Sequence, residues 1–203
     1  MTKREELIQL IDTGDEFNLF EADIRTFHWL RTNASRLFLR AAASNGIGGG
    51  NFAIALISLS RLDLLGQVYN ILRDNIPSSG WDVINHTNCF KKIVKDSLTW
   101  GFNDTDLDTI WNSYRNYLTH MHFPKYPIKV FKEGLAKSIK VFYKKLEESD
   151  KPAFKINNSK DIVCNSDILF RDVKRTKLWM TEQLKAGKFS EDAIVNALGF
   201  IRK

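Results

Sequence analysis

Apolar positions along the chain recur mostly every three to four residues, and strand-like alternation is scarce. The pattern therefore predicts an all-α protein, a bundle of helices with antiparallel neighbours. A first short helix is expected from Lys3 to Ile11, with Gly14 ending it. From about Leu19 to Ala43, Phe20, Ile24, Phe27, Leu30, Ala34, Leu37 and Phe38 recur at helical spacing, and Arg25, Arg36 and Arg40 occupy the opposite side. The run SNGIGGGN then breaks the helix. Its glycines (Gly46, Gly48, Gly49, Gly50) lack the Lys-Ser/Thr pair that would hold nucleotide phosphates, so it reads as a connection between helices. Phe52 to Leu72 is apolar around most of its circumference, which describes the central buried helix of a bundle. Within it, Arg61 and Asp63 are either edge residues or polar groups directed at a site.

Residues 74–103 read as irregular, with IPSSGW as a turn and one short helix around Cys89 to Leu98. DTDLD supplies a cap and an acidic first turn to a helix that should reach about Met121, ahead of Pro124 and Pro127. Beyond it, Phe131, Leu135, Ile139, Phe142 and Leu146 form an apolar stripe backed by Lys132, Lys137, Lys140 and Lys144, the pattern of a basic amphipathic helix. KPAFKINNSKDIVCNS offers two short extended runs around an Asn-Asn-Ser turn, a candidate hairpin. Ser166 can cap a helix that Gly187 would end, and Ser190 can cap a last one carrying Ile194, Ala197, Leu198 and Ile201. The expected organisation is a helical bundle over residues 1–148 and a small, mostly helical extension over 149–203.

Composition narrows the class. The 203 residues suffice for one sizeable core, and 43% hydrophobic residues with five tryptophans mark a chain that folds. No apolar run approaches the roughly 20 residues needed to cross a bilayer, and MTKREELIQLIDTGDEF has no hydrophobic signal core, so a cytoplasmic protein is expected. Cys89 and Cys164 stand far apart, and with His28, His86, His120 and His122 they show no zinc-ligand spacing. Neither a metal nor a cofactor is called for. The net charge of +6 is unevenly distributed. Residues 1–121 hold 12 Lys and Arg against 14 Asp and Glu, whereas residues 122–203 hold 18 against 10. A C-terminal positive excess would attract a polyanion such as RNA, or it is simply a solvated basic face.

The chemistry concentrates on one helix. At about 100° per residue, Leu107, Ile110, Trp111, Tyr114, Leu118 and Met121 converge on a core stripe. Asn116 and His120 fall nearly opposite, Asn112 and Ser113 lie beside them, and Arg115 lies toward the edge. This is either a plain solvated face or a site. An imidazole takes and returns protons near neutral pH, and a guanidinium holds a phosphoryl group bidentately. Asn116 offers a donor and an acceptor to orient either. Such a set can cleave an RNA strand without metal.

The run WNSYRNYLTHMHFP resembles the signature of HEPN domains, in which an Arg, a polar residue, a few intervening positions and a His stand near the end of a helix in a small bundle. GNFAIALISLSRLDLLGQVYNIL looks like the central helix of such proteins, and the resemblance covers about residues 18–146. It implies paired domains that bring two motifs together at a homodimer interface. It also implies metal-free cleavage, in which the RNA 2′-hydroxyl attacks its own phosphate and leaves a 2′,3′-cyclic end, in toxin or antiviral roles. An antitoxin or a defence complex is then the expected kind of partner. Carried over, His120 is the acid or base, Arg115 the phosphate contact and Asn116 the orienting group. Asn112, Ser113, Thr119, His122 and Asp63 would flank the site, and Lys125, Lys132, Lys140 and Lys144 would bind RNA. The branch silenced by a partner nucleotidyltransferase has a tyrosine two residues after the histidine. His122 stands there in this chain. The competing expectations are a non-catalytic HEPN-like module that binds RNA, a nucleotide or a protein, and a helical scaffold with no nucleic-acid role.

Overall fold

Helix formation begins at Thr2, whose hydroxyl accepts from the Glu5 amide (3.2 Å) while the Glu5 carboxylate accepts from the Thr2 amide (2.7 Å). This reciprocal cap satisfies two amides that would otherwise lack partners at the helix start. The resulting helix α1, Lys3–Thr13, ends at Gly14 as the sequence predicts. A computed structural model describes residues 1–14, 49–120, 139–142, 152–156 and 162–203; for 49–53, 114–120 and 139–142 the description is of the backbone. The expected Leu19–Ala43 helix and the boundary near residue 149 lie outside the described residues.

The protein is mostly helical. After α1 come α2 (Gly49–Asp74), a 3₁₀ turn (Ser78–Val83), α3 (His86–Ser97) and α4 (Asp104–His120). Strands β1 (Ile139–Phe142), β2 (Phe154–Ile156) and β3 (Ile162–Asn165) follow, then α5 (Ser166–Lys185) and α6 (Glu191–Ile201). Among the described residues no helix is long and apolar enough to cross a membrane. Two compact units divide the chain: Met1–Ala22, Arg61–Thr99 and Val173–Lys203 in the first, Asp23–Ser60 and Trp100–Asp172 in the second.

In the first unit, Leu7 and Ile11 of α1, Leu62, Leu65, Val68 and Ile71 of α2, Phe90 and Ile93 of α3, Met180 and Leu184 of α5, and Ile194 and Ala197 of α6 are all fully buried. The expectation of antiparallel neighbours fails for one pair. Asp63 meets His86, Gly66 lies against the Cys89 carbonyl, and Lys92 donates to Asn70 and Asp74. Partner numbers rise together, so this part of α2 and α3 run in the same direction. Residues 75–85 can reach about 35 Å when extended, more than the roughly 17 Å of helix they must retrace. The α5 helix closes with Gly187 at φ +72°, where the Lys188 amide donates to the Gln183 carbonyl (3.2 Å). That left-handed turn needs glycine, and it satisfies carbonyls the helix leaves open.

The second unit holds a small sheet of order β1-β3-β2. The two extended runs around residues 157–161 pair antiparallel as β2 and β3, and β1 pairs parallel with β3. At Ile139–Phe142, a strand, this overturns the basic amphipathic helix expected over residues 131–146; the rest of that range lies outside the described residues. The segment IKVF has β-branched residues at alternate positions and finds an apolar partner in IVCN, so long-range pairing outweighs the local helical spacing. Trp100 ties the unit together: its indole N–H donates to the buried Asp172 carboxylate (2.8 Å), and its ring stands edge-on to Phe154 (5.2 Å). The second indole contact, with Phe102 at 6.2 Å, is also edge-on.

Candidate functional site

Helix α4 carries the Arg-Asn…His motif, and its start is set one residue earlier than expected. Asn103, ahead of the DTDLD run, accepts from the Asp106 amide through its side chain (2.9 Å) and from Leu107 through its carbonyl (3.1 Å). Asp104 and Asp106 then sit in the first turn, where carboxylates favour the helix dipole. Leu107, Ile110 and Trp111 are buried as the core stripe requires.

The helical backbone continues through His120, so Arg115, Asn116, Thr119 and His120 occupy one rod. Arg115 and His120 are about 140° and about 7.5 Å apart along it. Their side chains lie outside the described residues, as do His122, Lys125, Lys132 and Lys144. Asn112 is partly exposed, but Ser113 is only 2% exposed. The face opposite the stripe is therefore not open along its whole length. Ser113 and His120 are seven residues apart and so within about 20° of one line, which puts the covered turn directly ahead of the motif's histidine. A hydroxyl tolerates such burial once it is hydrogen-bonded.

Lys140 lies on β1, paired in register with Val163. The common helical face expected for Lys132, Lys140 and Lys144 is broken at that residue.

Asp63 belongs to the first unit and α4 to the second. Asp63 is buried, and its carboxylate lies 2.9 and 3.0 Å from Nδ1 of His86. Asp63 is thus paired with His86, a contact that joins two parallel helix segments. His86 was legible only as one of four histidines: it is 23 residues from Asp63, and no local spacing connects them. The Gly66 contact fixes the same junction, since a Cβ there would stand 2.8 Å from the Cys89 carbonyl oxygen.

Two further groups at this junction are held neutral. Burial pushes the Cys89 thiol from 9.0 up to about 11, with the Asp63 carboxylate adding to the effect. At neutral pH it is not a nucleophile. Burial likewise raises Tyr69 from 10.0 to about 12, helped by the hydrogen bond its hydroxyl donates to Asp96 (2.6 Å). Both folded values lie above the unfolded ones. The stabilisation is therefore complete below about pH 9 and is lost as the pH climbs through 11 to 12. The urea midpoint should fall over that range, and Tyr69→Phe should make the decline shallower; an equal slope in both proteins would contradict this assignment.

Among the described residues, no group of three His, Cys, Asp or Glu side chains is placed to hold a metal ion. No family model, curated protein or solved structure matches the chain at a significant level.

Proposed function

We propose that this protein is a metal-independent endoribonuclease of HEPN type, acting in the cytoplasm in a toxin–antitoxin or antiviral defence role. The observation that supports the reading is the continuous helical backbone from Asp104 to His120, which carries Arg115, Asn116 and His120 on one rod behind a buried Leu107, Ile110 and Trp111 stripe. His120 acts as the proton carrier, Arg115 contacts the phosphate, and Asn116 orients the pair. The RNA supplies its own nucleophile, the 2′-hydroxyl, and the scissile P–O bond to the 5′-oxygen breaks as a 2′,3′-cyclic phosphate forms. Incubating purified protein with total cellular RNA and mapping the new ends tests the reading. Cyclic phosphate ends support it; binding without cleavage assigns the chain instead to the non-catalytic modules.

The helix geometry further supports a homodimer. Positions about 140° apart on a single helix do not converge on one phosphate. Two α4 helices related by a twofold axis can bring Asn116 and His120 of each to face their mates, with the two arginines flanking the groove. Each contact of such an interface occurs twice. Mixing wild type with an excess of His120→Ala subunits should therefore depress activity per wild-type subunit once subunits exchange. Full activity in a protein that sediments as a monomer would count against the composite site.

A further inference from the structure

The motif helix α4 begins only four residues after Trp100. Between them Gly101 turns at φ +71°, with nothing within 4 Å of where its Cβ would stand, and Asn103 serves as the cap. Trp100 itself is buried and grips two elements of the second unit. Its indole N–H donates to Oδ2 of Asp172 on α5 (2.8 Å), and its ring stands edge-on to Phe154 of β2 (5.2 Å). Asp172 is buried as well, and its other oxygen lies 3.7 Å from the Arg171 guanidinium. A hydrogen bond to a buried carboxylate is among the stronger ones, because donor and acceptor meet away from water. The two gripped elements form one block. Phe154 of β2 stands in register with Cys164 of β3, and β3 runs directly into α5, whose first amides, of Asp167 and Ile168, donate to the Asn165 side chain (3.1 and 3.4 Å).

We infer that Trp100 is a positioning residue for the Arg115/His120 motif: through Asp172 and Phe154 it holds the start of α4 on the block of β2, β3 and α5, and so sets where the far end of that helix stands. The inference rests on the ribonuclease reading only for the use made of that position. The buried Leu107, Ile110 and Trp111 fix how α4 is turned about its own axis. The contact at Trp100 adds a second fixed point, and two points set the direction of a rod. His120 stands about 25 Å from Asn103 along the helix, so a swing of about 5° at the start carries it about 2 Å. A misplacement of about 1 Å can lower a rate about 10²-fold where reacting groups must align. Removing the indole N–H therefore acts on the motif without touching it.

Trp100→Phe keeps an aromatic ring and removes the donor. It should lower kcat for RNA cleavage by about 10²-fold with KM unchanged, because the strand still binds while the reacting groups no longer align. Asp172→Asn keeps an oxygen to accept the indole hydrogen and should keep wild-type kcat. Ile54→Val, which removes one buried methylene elsewhere in the second unit, should lower the melting temperature and leave kcat alone. A Trp100→Phe protein that behaves like Ile54→Val would overturn the inference. Two further readouts need no activity. In Trp100→Phe the backbone amide resonances of Asn112 to His120 should move, while those of Glu191–Ile201, in the first unit, stay in place. In wild type the Trp100 indole proton and the amides of Ile110 to Ser113 should exchange with the same dependence on urea, since anchor and helix are released together. Independent exchange would overturn the inference even where Trp100→Phe fails to fold, and unmoved resonances would do so where it folds. Wild type that cuts no RNA but shows both behaviours removes the ribonuclease and leaves the positioning contact standing; cleavage with neither does the reverse.

Discussion

Changing His120 to alanine should lower the rate of RNA cleavage by about 10²–10⁴-fold, the usual loss when a positioned general acid or base is removed. The motif's helix should survive the change. Its anchoring residues are Leu107, Ile110 and Trp111, all buried, and its cap is Asn103, more than four turns from the substitution. Helical circular dichroism and the melting temperature should therefore stay at wild-type values while activity disappears. Arg115→Lys separates charge from geometry: a lysine keeps the positive charge but loses the planar fork, so partial activity identifies a bidentate phosphate contact. Full activity in that variant would reduce Arg115 to a general positive charge. Cleavage by wild type should persist in EDTA, and a strict requirement for added magnesium would rule out the proposed chemistry.

The largest effect on stability is expected at Gly66. A Cβ on this residue would lie 2.8 Å from the Cys89 carbonyl oxygen, 2.9 Å from its carbon and 3.2 Å from Cγ2 of Ile93. The first two atoms are backbone, so the clash cannot be relieved by turning a side chain. Either α2 and α3 separate or one of them bends, and both options disturb Leu65, Phe90 and Ile93, which are fully buried. Gly66→Ala should destabilise the protein by about 1–3 kcal/mol, the range for overpacking a close-packed interior, and Gly66→Val by more. The gain in helix propensity on replacing glycine, about 1 kcal/mol, offsets only the lower end of this range; the backbone contacts at Gly66 place the cost toward the upper end. Urea unfolding of the two variants measures the loss directly. Alanine at wild-type stability would mean that the helices part at little cost.

The same junction shows where reading the chain alone stops. Lys3–Thr13, the long apolar α2, the α4 motif helix and the two closing helices were all legible, because a periodic apolar face, a capping side chain or a terminating glycine is local information. The antiparallel β2–β3 pair was legible for a similar reason: two short extended runs flank a turn. The strand Ile139–Phe142 was not. Its residues fit a helical stripe equally well, and its partner lies beyond β2 in the chain, so only the parallel pairing with Ile162–Asn165 decides its conformation. The parallel course of α2 and α3 was hidden likewise, since direction depends on how residues 75–85 retrace the helix.

For the candidate site, the sequence determined which residue types share α4 and their angular positions, because helix geometry is fixed at about 100° and 1.5 Å per residue. Burial is different, as it depends on what packs against each face. Only the tertiary structure decided that Ser113 is covered, that Asp63 is engaged by His86, and that Lys140 leaves the expected helical face. Local periodicity thus specified the described helices and the order of the candidate chemistry along one of them. Contacts between residues distant in the chain determined which polar groups are covered or engaged, because burial and pairing are properties of the packed molecule and not of any one segment.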